Sequence, residues 1–253
     1  AGILAALAMQ TAGVTDVEAA PIPGDLASAS FANGTVGSGK TNGLAIGNAS
    51  NSGSNQSIAI GYFSEATAPE VTPAALPATA VGAGAKAIGY STVALGLSAQ
   101  AKADSATALG SKTSATGDRS VAVGINAAAT ADSATALGSK TSATGDRTVA
   151  VGSDAKATGR YASAFGADAS AVGNATAVGA NSLASVDAAV AVGTDSKATG
   201  NYASALGAGA TASDNESTAF GHGTVASGSS STALGSRAKA GGVAGVGIGM
   251  LAN

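Results

Sequence analysis

Short apolar runs closed by a glycine recur along the chain: LAIG at residues 44–47, IAIG at 58–61, TAVG at 79–82, VALG at 93–96, TALG at 107–110 and so on to Gly249. Between consecutive closing glycines there are 14 intervals, and 12 of them are 14 residues long; the exceptions are 21 residues from Gly61 to Gly82 and 13 from Gly166 to Gly179. Residues 103–124 and 131–152 carry the repeat almost unchanged, differing only at Ser120 against Thr148. A second glycine often falls seven places on, as at Gly89, Gly117, Gly145 and Gly159. A fixed short period of this kind is the mark of a solenoid, and its division by glycine predicts two short strands per 14-residue coil with sharp bends between them. Asp104, Asp118, Asp132, Asp146, Asn201 and Asn215 precede closing glycines by six residues and are expected to bond nearby backbone at the other corner.

Alternation within the unit assigns the faces. The residue two before the closing glycine is Ala in 14 of 15 units, and Ser, Thr, Ala or Gly stands four before. Successive strand residues point to opposite faces, so these small residues share one face. The other carries Val93, Thr107, Val121 and Val149 three before the glycine. One before it stand Leu95, Leu109, Val123, Leu137, Val151, Phe165, Val178, Val192, Leu206, Phe220 and Leu234. The second half-unit, as in Ser153-Asp154-Ala155-Lys156-Ala157-Thr158-Gly159, alternates Ala with charged or hydroxyl residues. Ala faces meeting across the coil predict a thin two-walled roll with small side chains inside and the large aliphatic row outside. So long an apolar stripe exceeds what a lone soluble chain exposes. Identical stripes closing around an axis parallel to the rod would cover it, which predicts cyclic self-association through those eleven large residues.

Composition agrees with a thin interior. The chain of 253 residues has 37 Gly, 4 Phe, 4 Tyr and neither Trp nor Cys, so a bulky core is not expected. A net charge of −3 with 11% charged residues points to no nucleic-acid partner, and the lack of Cys removes disulfides and thiolate metal sites. The opening AGILAALAMQ is apolar but far too short to span a bilayer, and it reads as a short helix or cap. Residues 1–39 are therefore expected to form an N-terminal segment of cap and linker, and residues 40–253 the roll.

The runs Ser-Val-Ala-Val-Gly at 120–124, Ser-Ile-Ala-Ile-Gly at 57–61 and Asn-Ala-Thr-Ala-Val-Gly at 174–179, each followed by a small-residue half-unit, resemble the head repeats of YadA-like trimeric autotransporter adhesins. The likeness runs over about residues 40–249. It implies an all-β, left-handed parallel β-roll assembled as a homotrimer, displayed on the outer membrane of a Gram-negative bacterium, and adhesive toward host matrix, cells or other surfaces. It implies no enzymatic activity and no cofactor. Family members usually continue into a neck, stalk and membrane barrel. This sequence ends at Gly249-Met250-Leu251-Ala252-Asn253 without heptads or barrel strands and resembles a head alone, so membrane anchoring would rest with segments outside it.

The stretch Tyr62 to Pro77, YFSEATAPEVTPAALP, breaks the register by seven residues and holds three of the five prolines. Because proline cannot donate to a ladder, the segment is expected to loop away from the roll over 62–77. Tyr62, Phe63, Glu65 and Glu70 are candidate ligand contacts there, with Lys112 and Lys140 on the exposed wall. Chemistry finds little footing. The single histidine, His222, stands between two glycines as a solvent-facing turn residue would, and Gly37-Ser38-Gly39-Lys40 lacks the full phosphate-loop spacing. No metal site is expected. An ice- or crystal-binding solenoid is the alternative to an adhesin, since both stack Thr and Ala on short strands; Thr107 and Thr135, however, alternate with Val121 and Val149 on the face expected to be buried.

Overall fold

The structure is a computed structural model that describes residues 29–31, 34–37, 43–69 and 77–253. All regular secondary structure among these residues is β: strands of two or three residues alternate between two parallel sheets, of 16 and 15 strands. Each strand pairs with the equivalent strand of the next coil. Thr107-Ala108-Leu109 lies on Val121-Ala122-Val123, and Ser114-Ala115 lies on Ala128-Ala129. The result is a parallel β-roll with one strand of each sheet per coil. At roughly 4.8 Å per coil the 16-stranded sheet is about 70 Å tall. We call it the stripe sheet, because its outer face carries the large aliphatic row, and its 15-stranded partner the wall sheet.

The interior explains the sequence pattern. Every buried hydrophobic residue among those described is alanine, and every buried polar residue is Ser or Thr. In one representative coil the inward positions are Ala106 and Ala108 from one side and Thr113 and Ala115 from the other. Most inward hydroxyls bond the coil's own backbone: Thr113, Ser182, Ser196 and Thr224 donate to the carbonyls of Gly110, Gly179, Gly193 and Gly221 at 2.8–2.9 Å, whereas Thr141 donates to the Gly152 carbonyl of the next coil at 2.8 Å. The one exchange between the twin blocks falls on such a position. Thr148 donates to the Gly145 carbonyl at 2.6 Å, whereas the Ser120 hydroxyl is buried without a partner.

Each coil turns at two corners. At the corner after the stripe strand, Gly110 has φ +130 and a Cβ there would meet the Gly124 carbonyl oxygen at 2.6 Å. At the corner after the wall strand, Gly117 is required by crowding alone, since a Cβ would strike the Ala131 carbonyl. The left-handed backbone is carried mostly by other residues. Ser98, Ser105, Lys112, Arg119, Asn126, Ser133, Lys140 and Arg147, seven apart, all have φ between 54 and 58. Such a conformation costs a non-glycine residue roughly 1–2 kcal/mol. It is held by stacking: the N–H of Lys112 donates to Leu97 O at 2.7 Å, and that of Arg119 to Asp104 O at 2.8 Å, one coil back.

The roll departs from expectation at two places. Strand Ala29–Phe31 already pairs with Leu44–Ile46, and Thr35–Val36 with Asn51–Ser52, so the roll begins before residue 40. The expected cap or helix at the extreme N-terminus lies outside the described residues. The expected loop over 62–77 is also narrower. Glu65-Ala66-Thr67 is a wall strand in register with Lys86-Ala87-Ile88, and Phe63 N–H donates to Asn48 O at 3.0 Å like any other corner residue. The reason is local: Ser64 and Ala66 occupy the two inward positions and are fully buried, so this half-unit packs normally although no glycine announces it. The extra residues enter after Thr67. The short step to Gly179 is absorbed at Gly173, which takes φ +69 while Ser163 still pairs with Thr176.

Ser120→Ala should raise stability by about 1 kcal/mol, because it removes a buried hydroxyl without a partner and leaves the apolar contact in place. Ala136→Val, by contrast, should lower it by roughly 1–3 kcal/mol through overpacking, while Ser142→Val on the outer face should change it by less than about 0.5 kcal/mol. Denaturant midpoints of the three variants would check all of this together.

Candidate adhesive surface

Three surfaces face outward, and the repeat places the same sequence positions on each. The first is the outer face of the stripe sheet, where Leu95, Leu109, Val123, Leu137, Val151, Phe165, Val178, Val192, Leu206, Phe220 and Leu234 stack in one unbroken file. In the single chain they are half-buried or exposed, and Phe220 reaches 52%. A parallel file of Thr, Val and Ser runs beside them, from Val93 to Thr232. The structure thus brings together, on one flat ribbon two side chains wide, every residue expected to form a subunit interface.

The second surface is the wall sheet. Its outward column reads Gln100, Ser114, Ala128, Ser142, Lys156, Ser170, Leu183, Lys197, Thr211, Val225 and Lys239. Lys156, Lys197 and Lys239 are exposed and recur every third coil, about 14 Å apart at 4.8 Å per coil. Among the wall-strand positions described, Glu65 is the one carboxylate, and it is paired with Lys86 at 3.2 Å. Beside the column, Thr116, Thr130, Thr144 and Thr158 make a short threonine file whose amides donate to the carbonyls of the next coil at 3.0 Å.

The two corners form the third surface and hold most carboxylates. At the corner after the wall strand, the acidic and amide side chains tie one coil to the next. Asp104 accepts from Tyr90 N–H at 2.9 Å and Asp132 from Asp118 N–H at 3.2 Å; Asn215 accepts from Asn201 N–H at 3.2 Å. Asp187 accepts twice, from the N–H and side-chain amide of Asn174 at 3.0 and 2.9 Å. These side chains were expected to bond within their own turn; stacking puts the preceding coil's unpaired amide closer. At the same corner Arg147 donates to the Tyr161 hydroxyl at 2.8 Å, and both Arg147 and Arg160 lie over the Tyr161 ring.

The candidate ligand contacts are divided among these surfaces. Tyr62 and Phe63 sit at the corner after the stripe strand, both exposed, with ring centroids 4.5 Å apart edge to face. Lys112 and Lys140 occupy the same corner several coils further on. Glu65 lies on the wall, engaged with Lys86. Glu70 is outside the described residues. The wall lysines and the threonine file were missed, although a strand-face reading of KATG at 156–159 and 197–200 would have found the lysines. His222 is exposed at a corner, and among the described residues no three His, Cys, Asp or Glu gather where they could hold a metal ion.

The family model described as "YadA head domain repeat (2 copies)" matches residues 39–64, 77–96, 87–113, 115–141, 143–171, 173–196, 198–224 and 226–249. Among solved structures, the collagen-binding domain of the Yersinia adhesin YadA is similar at 27% identity over 64% of this chain and 80% of that chain, with a TM-score of 0.39. No curated protein matches the chain.

Asp187→Ala should cost about 1–2 kcal/mol, because it strips two hydrogen bonds from Asn174. Asp132→Ala, which removes one, should cost about half as much. Thermal denaturation of the two variants side by side would check the order.

Proposed function

The chain belongs to the YadA head-repeat family of bacterial surface adhesins, and on that premise we propose that three copies close around their stripe sheets to form a rod whose wall sheets attach a cell to host matrix or host cells. The observation that carries this reading is the separation of surfaces. The apolar file is continuous and uncovered in the single chain, whereas the wall beyond Lys86 is polar, cationic and repetitive. Three stripes meeting on an axis cover the first surface and turn three copies of the second outward. The family is not an enzyme family, and attachment here needs no pocket. Many weak contacts, each repeated along about 70 Å and on three sides, combine into strong adhesion once the first has formed.

Ligand contact is assigned to the wall in this reading, with Lys156, Lys197 and Lys239 as its charged points and acidic or hydroxylated matrix surfaces as fitting partners. The corner residues Tyr62, Phe63, Lys112 and Lys140 flank the stripe and are closer to a neighbouring subunit than the wall is. Surface display on the outer membrane follows from the adhesive role. One observation favours the alternative of an ice- or crystal-binding solenoid: the four-threonine file on the wall. It ends at Val172 and is bordered by Lys156, so the lattice match it offers is short. A thermal-hysteresis measurement on the assembled protein distinguishes the two readings.

Leu137→Asp with Val151→Asp should leave a chain that no longer assembles, as sedimentation would show, and it should lose attachment to matrix-coated surfaces by about a hundredfold or more through lost avidity. Lys156→Gln, Lys197→Gln and Lys239→Gln together should leave the oligomer intact and weaken attachment by roughly tenfold. Retention of full attachment by the dispersed chain would overturn the multivalent mechanism.

A further inference from the structure

Over residues 104–168 the two corners flanking the apolar stripe carry charges of opposite trend. At the corner after the stripe strand the charged residues run Lys112, Lys140, Asp154, Asp168, Asp195 and Arg237. At the corner after the wall strand they run Asp104, Asp118, Arg119, Asp132, Asp146, Arg147, Arg160, Asp187, Asp214 and Glu216. One edge passes from basic to acidic between Lys140 and Asp154; the other passes from net acidic to net basic between Asp146 and Arg160. Of these charges only Asp154 is less than fully exposed. None forms an ion pair within the chain, where Lys86–Glu65 is the one such bridge among the described residues.

A ribbon three residues wide, about 10 Å across, brings its own corners close to a neighbour's when several ribbons converge on one axis. In a cyclic arrangement the corner after the stripe strand of one copy meets the corner after the wall strand of the next. Equal residue numbers then lie at equal heights, with about 0.34 Å of rise per residue. Lys112 comes level with the gap between Asp104 and Asp118, each about 2–3 Å away in height, and Lys140 with the gap between Asp132 and Asp146. Asp154 comes level with Arg147 and Arg160, and Asp168 lies just above Arg160. Counting every charge within eight residues, Lys112 meets two aspartates and one arginine, as does Lys140. Asp154 meets two arginines and one aspartate, and Asp168 meets one arginine. Asp195, near Asp187, is the like-charged exception, and Arg237 meets no charge of the facing corner.

We propose that these edges form an intersubunit charge seam that fixes the axial register of the oligomer, with a second copy of this chain as the partner. The proposal rests on the trimeric reading above and adds what the apolar stripe cannot supply. A file of aliphatic side chains repeating every coil packs almost equally well when a neighbour slips by one coil. Slipped contacts between unlike edges do not close and generate open filaments. Slip of one coil in one direction sets Lys140 against Arg147 and Arg160, Asp168 against Asp187, and Asp195 against Asp214 and Glu216. Slip in the other sets Asp154 against Asp132 and Asp146 with Arg147 beside them, while Asp168 moves between Arg147 and Arg160, so the seam resists the first direction more strongly. In a closed ring the slips must sum to zero, so a step in the tolerated direction requires one in the other. Charged rims are well suited to rejecting wrong registers even where their net contribution to affinity is small. Lys112 and Lys140 then face a neighbour and are not free for a ligand.

The test uses the whole chain and three variants. One reverses the first edge (Asp154→Lys with Asp168→Lys), one the second (Arg147→Glu with Arg160→Glu), and one reverses both. Sedimentation at low salt, in fixed sub-denaturing urea, should show each single-edge variant needing about tenfold more protein to reach half-assembly, or running on into larger species. The variant with both edges reversed should return to within about threefold of wild type, and all differences should vanish near 1 M salt. Single-edge variants that assemble like wild type overturn the seam while leaving the trimer standing. So does a doubly reversed variant no better than its parents, because simple damage would then explain the loss. A wild-type chain that sediments as a monomer at every concentration overturns the trimer and the seam together.

Discussion

The thinness of the coil governs everything else in this molecule. Two parallel sheets are held so close that, among the described residues, no side chain larger than threonine is fully buried between them, and the hydrophobic core there is built from alanine. A chain normally hides its Leu, Val, Ile and Phe inside; this one has no inside large enough. Its large apolar residues therefore stand on the outer face of the stripe sheet, and burial, the dominant stabilising term in folding, is deferred to contact between subunits. A monomeric roll of this design would keep its backbone ladders and its alanine packing but would leave its best hydrophobic surface in water.

The same thinness accounts for the corners. Reversing direction twice in 14 residues forces a corner residue to φ near +55, and the chain places Ser, Lys, Arg, Asp or Tyr there far more often than glycine. Stacking makes that tolerable, because most such residues donate their N–H to a carbonyl one coil back, as Ser98 does to Ala83 and Tyr161 to Asp146. Glycine is reserved for positions such as Gly117, where the next coil's backbone leaves no room for a Cβ. Strain and its compensation thus repeat together, and each coil is satisfied only by its neighbours.

Much of this was legible in the sequence because a solenoid writes its geometry as a period. The 14-residue spacing, the alanine two places before each glycine and the bulky residue one place before it were enough to assign interior and stripe. What stayed hidden lacked a glycine or depended on the next coil. Ser64 and Ala66 keep residues 62–67 in the roll, yet proline and the long glycine interval drew attention away from them. The left-handed corner residues share no side-chain chemistry, so no local pattern reveals them. The aspartate bonds cross from coil to coil, at a sequence distance of 13 or 14 that a turn motif does not span.

Near-identical repeats raise a difficulty that the variable positions answer. Interior and stripe are nearly uniform along the rod, so nothing in either distinguishes one coil from the next, and a uniform ribbon has no preferred register. Changes of charge are confined to the wall and the corners, where side chains are exposed and substitutions cost little. Sites free to vary are therefore the ones able to carry information. On the proposed function, lysines on the wall would specify what the rod meets outside, and the proposed seam at the corners would specify how one subunit meets the next. A fold that copies one workable coil can so acquire both a defined height of assembly and a defined outer face without disturbing the alanine interior on which each coil depends.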